Sequence, residues 1–134
     1  MTQKIVRAAC RVADGVRDKL ALGNIEIERD WGWAEEYVDA MWRILQQEKP
    51  EDYIIATGTS CKLREFVAAV FETLNLNWEE HVIHNEALLR PSDIMQSRAQ
   101  PAKAEKLLNW KAETTYQDVA RKLVSTELNR LRKE

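Results

Sequence analysis

The sequence has 134 residues, of which 45% are hydrophobic and 31% charged, which suits one folded domain with a modest core. Twenty basic and 22 acidic side chains give a formal net charge of −2, so nucleic acid is not an expected partner, because its binders usually show a basic excess. The sequence has no apolar run of the roughly 18 residues that a membrane span needs, and it lacks the apolar core of a signal peptide.

Apolar spacing predicts two helices and a strand in the first 50 residues. Residues 2–21 place apolar side chains on one face of a helix, and Gly15 weakens its centre by about 1 kcal/mol relative to alanine. The alternation of isoleucine and glutamate around 25–27 predicts a short half-buried strand. A second helix is expected over 34–48. Its predicted apolar stripe comprises Tyr37, Val38, Met41, Trp42 and Leu45.

The middle of the chain predicts two further strands around a third helix. The apolar run 53–56 stops at a Thr-Gly pair and is typical of a buried strand. Thr59 or Ser60 is expected to cap a helix whose apolar positions extend over 63–74. A third strand is expected at 81–83.

Two more helices complete the prediction. Pro101 suits the first turn of a helix over 101–108, and Thr115 with Asp118 resembles a capping box for a last helix over 116–132. The sequence therefore predicts a mainly helical α+β fold, a single domain with about five helices and three short strands. Such strands are too few for a sheet of their own, so we expect them at the edge of a larger sheet outside this chain.

Two short motifs suggest a site for a nucleoside diphosphate. Each of them, Arg-Asp-Trp-Gly at 29–32 and Arg-Pro-Ser-Asp at 90–93, carries an arginine whose guanidinium can contact phosphate oxygens in a bidentate way. Asp93 adds a carboxylate that suits the diol of a ribose. The chain offers no group that would carry out chemistry on such a ligand.

Other polar groups are expected to be structural. Cys10 and Cys61 stand apart and fit free thiols in a reducing cytoplasm. His81 and His84 do not pair with a carboxylate or cysteine into a metal site. The turn at 57–60 lacks the Lys-Ser/Thr ending of a nucleotide loop. No metal ligand is therefore assigned.

The order of several motifs resembles one family of nucleotide-sugar enzymes. They are Thr2-Gln3-Lys4-Ile5, Leu22-Gly23-Asn24, Arg29-Asp30-Trp31-Gly32, Glu36-Tyr37-Val38, Ala40-Met41-Trp42, Leu45-Gln46-Gln47, Ile55-Ala56-Thr57-Gly58, Arg64-Glu65-Phe66-Val67, Arg90-Pro91 and Lys103-Ala104. Over nearly its whole length the chain resembles the C-terminal part of GDP-mannose 4,6-dehydratase, an extended short-chain dehydrogenase/reductase.

The resemblance implies a substrate-binding lobe of a cytoplasmic lyase. Such enzymes pair an N-terminal Rossmann lobe, which binds NADP and carries the catalytic threonine, glutamate, tyrosine and lysine, with a smaller lobe that holds GDP-mannose. The reaction oxidises C4 of the mannose, eliminates water across C5 and C6, and returns the hydride to C6. Its product, GDP-4-dehydro-6-deoxymannose, leads to GDP-fucose and GDP-rhamnose.

The resemblance also assigns roles to four residues. Arg29 and Arg90 match arginines that contact the diphosphate. Asp93 matches the position of a glutamate that contacts the ribose hydroxyls, and it is one methylene shorter. Lys4 matches a lysine that lies near the guanine.

The catalytic features of the family are missing from the sequence. Its four glycines form no Gly-x-x-Gly-x-x-Gly loop, and none of Tyr37, Tyr53 and Tyr116 is followed by lysine four positions on. We therefore expect residues 1–134 to be a substrate lobe without the NADP-binding Rossmann domain, with no cofactor of its own, and inactive alone.

Three hypotheses stay open at this stage. The chain is the GDP-mannose-binding lobe that works with its missing Rossmann half, a stand-alone nucleotide-binding module, or an assembly piece. The assembly piece would use the apolar face that normally packs on the Rossmann lobe. Because such an uncovered face tends to drive self-association, oligomers or partial disorder of the isolated chain are expected.

Overall fold

The computed structural model describes residues 1–89 and 92–133, and it is mainly helical. The helices are α1 (Thr2–Ala13), α2 (Ala34–Leu45), α3 (Leu63–Glu72), α4 (Ala102–Leu108) and α5 (Tyr116–Leu131). The strands are β1 (Leu20–Leu22), β2 (Glu28–Asp30), β3 (Ser60–Lys62) and β4 (Val82–His84). The described residues thus have the α+β fold and the five helices that the sequence predicts, with four short strands instead of three. No helix among them is long and apolar enough to cross a membrane.

The four strands form two separate ribbons. Strands β1 and β4 run parallel, with Leu20 opposite Val82. Strands β2 and β3 run antiparallel, with Arg29 opposite Cys61, and a single bridge joins Glu28 to Gln96. These ribbons do not form one sheet in the described part of the chain, so the helices carry the core.

The larger core lies between three helices. Helices α1, α3 and α5 pack their apolar faces together, and β1 closes the cluster at one side. Its fully buried side chains include Ile5, Phe66, Phe71 and Val124. Along each helix the buried positions recur at intervals of three or four residues, as in Ile5 and Ala9 of α1, and this spacing brings them to one face.

A smaller core lies between α2 and α4. Its buried members are Ala40, Ala104, Leu108 and Trp110. The partly buried Tyr37, Ile44, Tyr53, Ile55 and Ala112 pack against them. Within this cluster Trp110 donates its indole N–H to the Glu36 carbonyl oxygen at 3.0 Å, so a buried polar atom has a partner.

The first helix is shorter than predicted, because Gly15 ends it. Gly15 has a φ of 90°, which is the left-handed region where glycine is favoured. Its N–H donates to the Val12 carbonyl oxygen, and the Val16 N–H donates to that of Arg11, both at 3.0 Å. This pairing is a Schellman motif, so the expected helix over 2–21 was wrong beyond Ala13.

The apolar stripe expected to be buried on α2 lies in solvent. Helix α2 ends at Leu45 instead of residue 48, and its only buried residue is Ala40. We call Val38, Met41, Trp42 and Leu45 the α2 stripe; their exposed fractions are 61%, 60%, 61% and 81%. Among its predicted members Tyr37 alone packs against the core. The helical period was right, but nothing in the described residues covers that face.

Two predicted strands are misplaced. Residues 53–56 are not a strand, and instead Tyr53 and Ile55 pack on the smaller core while Ile54 remains exposed. Near Ile25 and Ile27 the backbone carbonyls accept from the N–H groups of Arg64 and Leu63 at the start of α3, and the strand forms at 28–30. Tertiary partners, more than local alternation, set these strand positions.

The expected cap of α3 was also wrong. Ser60 lies in β3, and α3 begins after Lys62, whose backbone N–H donates to the Glu65 carboxylate at 2.7 Å. The acid three residues on, and not a hydroxyl before the helix, therefore satisfies this free N–H.

The last two helices agree with prediction. Helix α4 ends at Leu108, and the φ of 49° at its C-cap, Asn109, lies in the left-handed region that asparagine tolerates. Helix α5 starts with the expected capping box, in which the Thr115 hydroxyl accepts from the Asp118 N–H at 3.2 Å and the Asp118 carboxylate accepts from the Thr115 N–H at 3.2 Å.

Candidate functional site

Three of the four predicted site residues line one cleft. Lys4, Arg29 and Asp93 border a cleft of about 610 Å³, although they come from α1, from β2 and from the loop after β4. The fourth, Arg90, lies outside the described residues. The fold thus brings together side chains that are far apart in the sequence, at the junction of α1, the turn after β1, residues 87–89 and Asp93.

Arg29 reaches the cleft from the middle of β2. Pairing with Cys61 on β3 fixes its backbone, and one guanidinium nitrogen, Nη1, donates to the Glu28 carbonyl oxygen at 2.7 Å. The side chain is half-buried. A half-buried guanidinium beside a cleft is poorly screened by water, so it attracts an anion more strongly than a fully solvated one would.

Lys4 and Asp93 border the same space with different exposure. Lys4 is exposed on α1, and its Nζ donates to the Ala21 carbonyl oxygen at 2.7 Å, which holds the ammonium against β1. Asp93 is half-buried. The described part of the cleft therefore offers two cations and one carboxylate to a polar ligand.

An apolar wall that sequence analysis missed closes one side of the cleft. Leu88 and Leu89 line it, with exposed fractions of 44% and 45%. Gly23 allows this approach, because a Cβ there would sit 2.6 Å from the Leu88 carbonyl oxygen. The glycine of the Leu-Gly-Asn motif was a signal in the sequence for a close approach of another segment. The sequence did not show that this segment contains Leu88, 65 positions away.

A polar network lies on the opposite side of β2 from the cleft. The Asp30 carboxylate accepts from the backbone N–H of Thr57 at 3.1 Å and of Gly58 at 2.9 Å. The Tyr37 hydroxyl lies close to this carboxylate. Burial first, and then the Asp30 and Glu36 charges, raise the pKa of Tyr37 to about 12. Asp30 thus fixes the 57–58 turn to β2.

The neighbouring Trp31 packs into the larger core. Its ring stacks on Phe66 with 4.9 Å between centroids. Successive side chains of this segment thus point to different sides. Arg29 faces the cleft, and Asp30 is bound to the 57–58 turn.

Neither cysteine is suited to nucleophilic chemistry. Cys10 and Cys61 are both buried and unpaired. Burial raises the pKa of Cys10, and burial raises that of Cys61 to about 12. Because the thiolate is the reactive form, these thiols are inert in the folded chain.

Known proteins resemble this chain over nearly all of its length. The family described as GDP-mannose 4,6 dehydratase matches residues 1–123. GDP-mannose 4,6 dehydratase 1 of Arabidopsis thaliana is 39% identical over 134 residues, which is 100% of this chain and 37% of that protein. The human GDP-mannose 4,6 dehydratase is 32% identical and covers 98% of this chain and 40% of its own length.

Solved structures show the same fold. RMD from Pseudomonas aeruginosa, in complex with NADPH, superposes with a TM-score of 0.85 at 20% identity, over 97% of this chain and 42% of that one. A dTDP-glucose 4,6-dehydratase from Bacillus anthracis, in complex with NAD, superposes with a TM-score of 0.78 at 16% identity, over 93% and 39%.

The chain spans about two fifths of the length of the relatives described here. Its match to the family extends from the first helix into the last one. The Arg-Asp-Trp-Gly segment, the helix after it and the cleft residues of α1 all lie inside the matched region. By this measure the chain belongs to the GDP-mannose 4,6-dehydratase family.

Proposed function

We propose that residues 1–134 act as one substrate-binding lobe that holds the GDP part of GDP-mannose in the cleft. The observation that carries this proposal is the convergence of Lys4, Arg29 and Asp93 on one cleft. Arg29 contacts the diphosphate, Asp93 the ribose hydroxyls and Lys4 the guanine. Arg90 is a second diphosphate ligand in this proposal, and it lies outside the described residues.

The charged residues of the cleft match the charge of this ligand and are consistent with a moderate affinity for it. A charged hydrogen bond contributes roughly 1.5–3 kcal/mol. Two arginines and one acid therefore support binding in the micromolar to millimolar range once the cost of association is subtracted. The apolar wall of Leu88 and Leu89 adds a surface on which a planar base or a ribose can rest.

The NADP of the family does not fit the residues of this chain. A phosphate cradle needs glycines at the turn that opens a helix. Gly15 instead follows α1, and Cβ atoms at Gly23, Gly32 and Gly58 would meet Leu88, Tyr37 and Pro101 of the same chain. We infer that cofactor binding and the lyase reaction need residues outside this lobe, and that the lobe alone is inactive.

The α2 stripe supports a protein partner for the lobe. Four large apolar side chains on successive turns of α2 stay more than half exposed, and such faces mark interaction surfaces. We propose the NADP-binding Rossmann half of the enzyme as its partner, with self-association of the lobe when that half is absent. The buried, unpaired cysteines support a cytoplasmic location.

Calorimetric titration with GDP tests the nucleotide site. Arg29→Ala should weaken binding about tenfold, since about 1.4 kcal/mol corresponds to a factor of ten. Arg121→Ala is the matched control, because Arg121 lies on α5 with Asp118 as its partner, 3.1 Å away, and it should leave the affinity unchanged. Equal GDP affinity of wild type and Arg29→Ala would reject the assignment.

A second titration separates the diphosphate from the nucleoside. GMP lacks the β-phosphate, so it should bind more weakly than GDP to the wild type. The GDP-to-GMP ratio should fall towards one in Arg29→Ala. An unchanged ratio in that variant would mean that Arg29 does not contact the diphosphate.

Light scattering tests the stripe as a docking face. The wild-type lobe should form oligomers, and Trp42→Glu should shift it towards the monomer while leaving GDP affinity unchanged. Glu35→Gln is a control on an exposed part of the same helix. A wild-type lobe that is monomeric at all concentrations contradicts self-association.

A further inference from the structure

Asp30 connects two parts of the fold through backbone donors. Strand β2 has three residues and pairs with a three-residue partner, β3. Beyond this pairing, the Asp30 carboxylate ties the strand to the turn at Thr57 and Gly58, with N···O distances of 3.1 and 2.9 Å. Because a carboxylate that accepts two backbone N–H groups makes strong charge-assisted bonds, this is a firm attachment for a short strand.

Tyr37 extends the attachment to helix α2. Its hydroxyl lies beside Gly32 and close to the Asp30 carboxylate, and its ring meets Trp110 edge to face, with 5.9 Å between centroids. Gly32 leaves room for this arrangement, because a Cβ there would sit 2.1 Å from the Tyr37 hydroxyl oxygen. Asp30 thus joins β2 to the smaller core, which carries the exposed α2 stripe.

The neighbour of Asp30 in β2 is the arginine of the cleft. Arg29 lines the cleft and Asp30 is not among its described lining residues. Any shift of the Asp30 backbone moves the Arg29 backbone with it, since the two share a peptide plane. The direction of the guanidinium therefore depends on the attachment on the other side of the strand.

We propose that Asp30 is a positioning residue for Arg29, which it holds in place for the diphosphate by fixing β2 to the 57–58 turn. This proposal rests on the nucleotide site proposed above. Without the attachment, β2 is held by its pairing with β3, the single bridge to Gln96 and Trp31 packing, and the guanidinium must be ordered again when the ligand binds. Ordering a long side chain opposes binding.

A double-mutant cycle with GDP tests the proposal. Asp30→Asn keeps the size of the side chain and removes its charge, and we expect GDP binding to weaken about three- to thirtyfold. The same change in an Arg29→Ala background should have less than about a twofold effect, because no guanidinium remains to be positioned. An equal loss in both backgrounds, or no loss in either, overturns the proposal.

Asp118→Asn is the matched control. Asp118 also accepts a backbone N–H, that of Thr115 at 3.2 Å, in the capping box of α5. It is not among the described residues that line the cleft. Its loss should destabilise the lobe without changing GDP affinity, and circular dichroism should show folded helices in both variants.

A spectroscopic measurement keeps the two proposals distinguishable. The Nε–H signal of Arg29 in a ¹H–¹⁵N spectrum should shift or broaden in Asp30→Asn and stay in place in Asp118→Asn. If Arg29→Ala leaves GDP affinity unchanged, the nucleotide site is rejected. If Arg29→Ala weakens binding while Asp30→Asn leaves both affinity and signal unchanged, only the positioning role is rejected.

Discussion

The two cores of this lobe differ in how completely the described chain covers them. Helices α1, α3 and α5 bury their apolar faces against one another. Helix α2 buries only Ala40 and leaves the α2 stripe in solvent. Both regions have the same helical period in their sequence, so amphipathic spacing identifies an apolar face but does not say whether the same chain covers it.

The largest expected effect compares the same substitution in the two regions. Leu63 is 1% exposed in the larger core and Leu45 is 81% exposed on the α2 stripe. Leu63→Ala should lower the free energy of unfolding by about 2–5 kcal/mol through lost burial and a residual cavity. Leu45→Ala should change it by less than about 0.5 kcal/mol.

Chemical denaturation at low protein concentration measures both values in the monomer. A large loss for Leu45→Ala would show that the stripe is covered in the isolated lobe. The comparison between the two cores would then fail.

Alkaline pH should affect the smaller core more than the larger one. The pKa of Tyr37 is raised to about 12, so the unfolded chain loses this proton near its ordinary pKa of about 10 while the folded chain keeps it. Stability therefore falls as the pH rises from about 10 to about 12, by about 2–3 kcal/mol from this group. Tyr37→Phe should remove that part of the loss.

Tyr116 provides the control in the larger core. Burial raises the pKa of Tyr116 too, by less than that of Tyr37, so Tyr116→Phe should remove less of the alkaline loss. Urea unfolding at several pH values measures both variants. The buried Cys61 contributes equally to all of them and cancels. Identical alkaline slopes for wild type and Tyr37→Phe would contradict the burial of Tyr37.

A substitution at Gly32 should disturb the contact between β2 and the smaller core. The new methyl group of Gly32→Ala would overlap the Tyr37 ring, whose displacement should cost about 1–3 kcal/mol of stability. The double variant Gly32→Ala/Tyr37→Ala should cost no more than Tyr37→Ala alone. Additive losses would show that the Tyr37 ring is not what excludes a side chain at position 32.

The smallest expected effect concerns the capping of α5 in the larger core. Thr115→Ala removes the hydroxyl that accepts from Asp118, and it should cost about 1 kcal/mol. Thr126→Ala on the same helix removes a hydroxyl that donates to the Lys122 carbonyl oxygen, and it should cost less than about 0.5 kcal/mol. Thermal unfolding of both variants measures the difference. Equal losses of stability would show that the Thr115 cap does not stabilise α5 as proposed.

Sequence patterns predicted the helices far better than the strands. The last two helices were placed within one residue at each end, because Thr115 and Asn109 carry their own local end signals. The first helix was extended too far because Gly15 was interpreted as a weak interior position, while its positive φ makes it a C-terminal signal. Strands of three residues have no comparable local signal, and their partners lie far along the chain.

The sequence predicted the charged residues of the cleft, but it did not predict the apolar residues that form its wall. The resemblance pointed to Lys4, Arg29 and Asp93, and these three side chains border one cleft. Leu88 could not be identified, because its place beside Gly23 results from tertiary folding. The bond between Asp30 and the 57–58 turn was likewise hidden, since backbone N–H donors leave no trace in the sequence.

The two buried thiols can report local unfolding in two different regions of this lobe. Cys10 sits in the larger core, and Cys61 lies directly opposite Arg29 in the β-ribbon. A thiol reagent can reach either sulfur only while the surrounding structure is transiently unfolded. The rate at which each cysteine is modified therefore reports the opening of a different region, and a bound nucleotide should slow modification at Cys61 more than at Cys10.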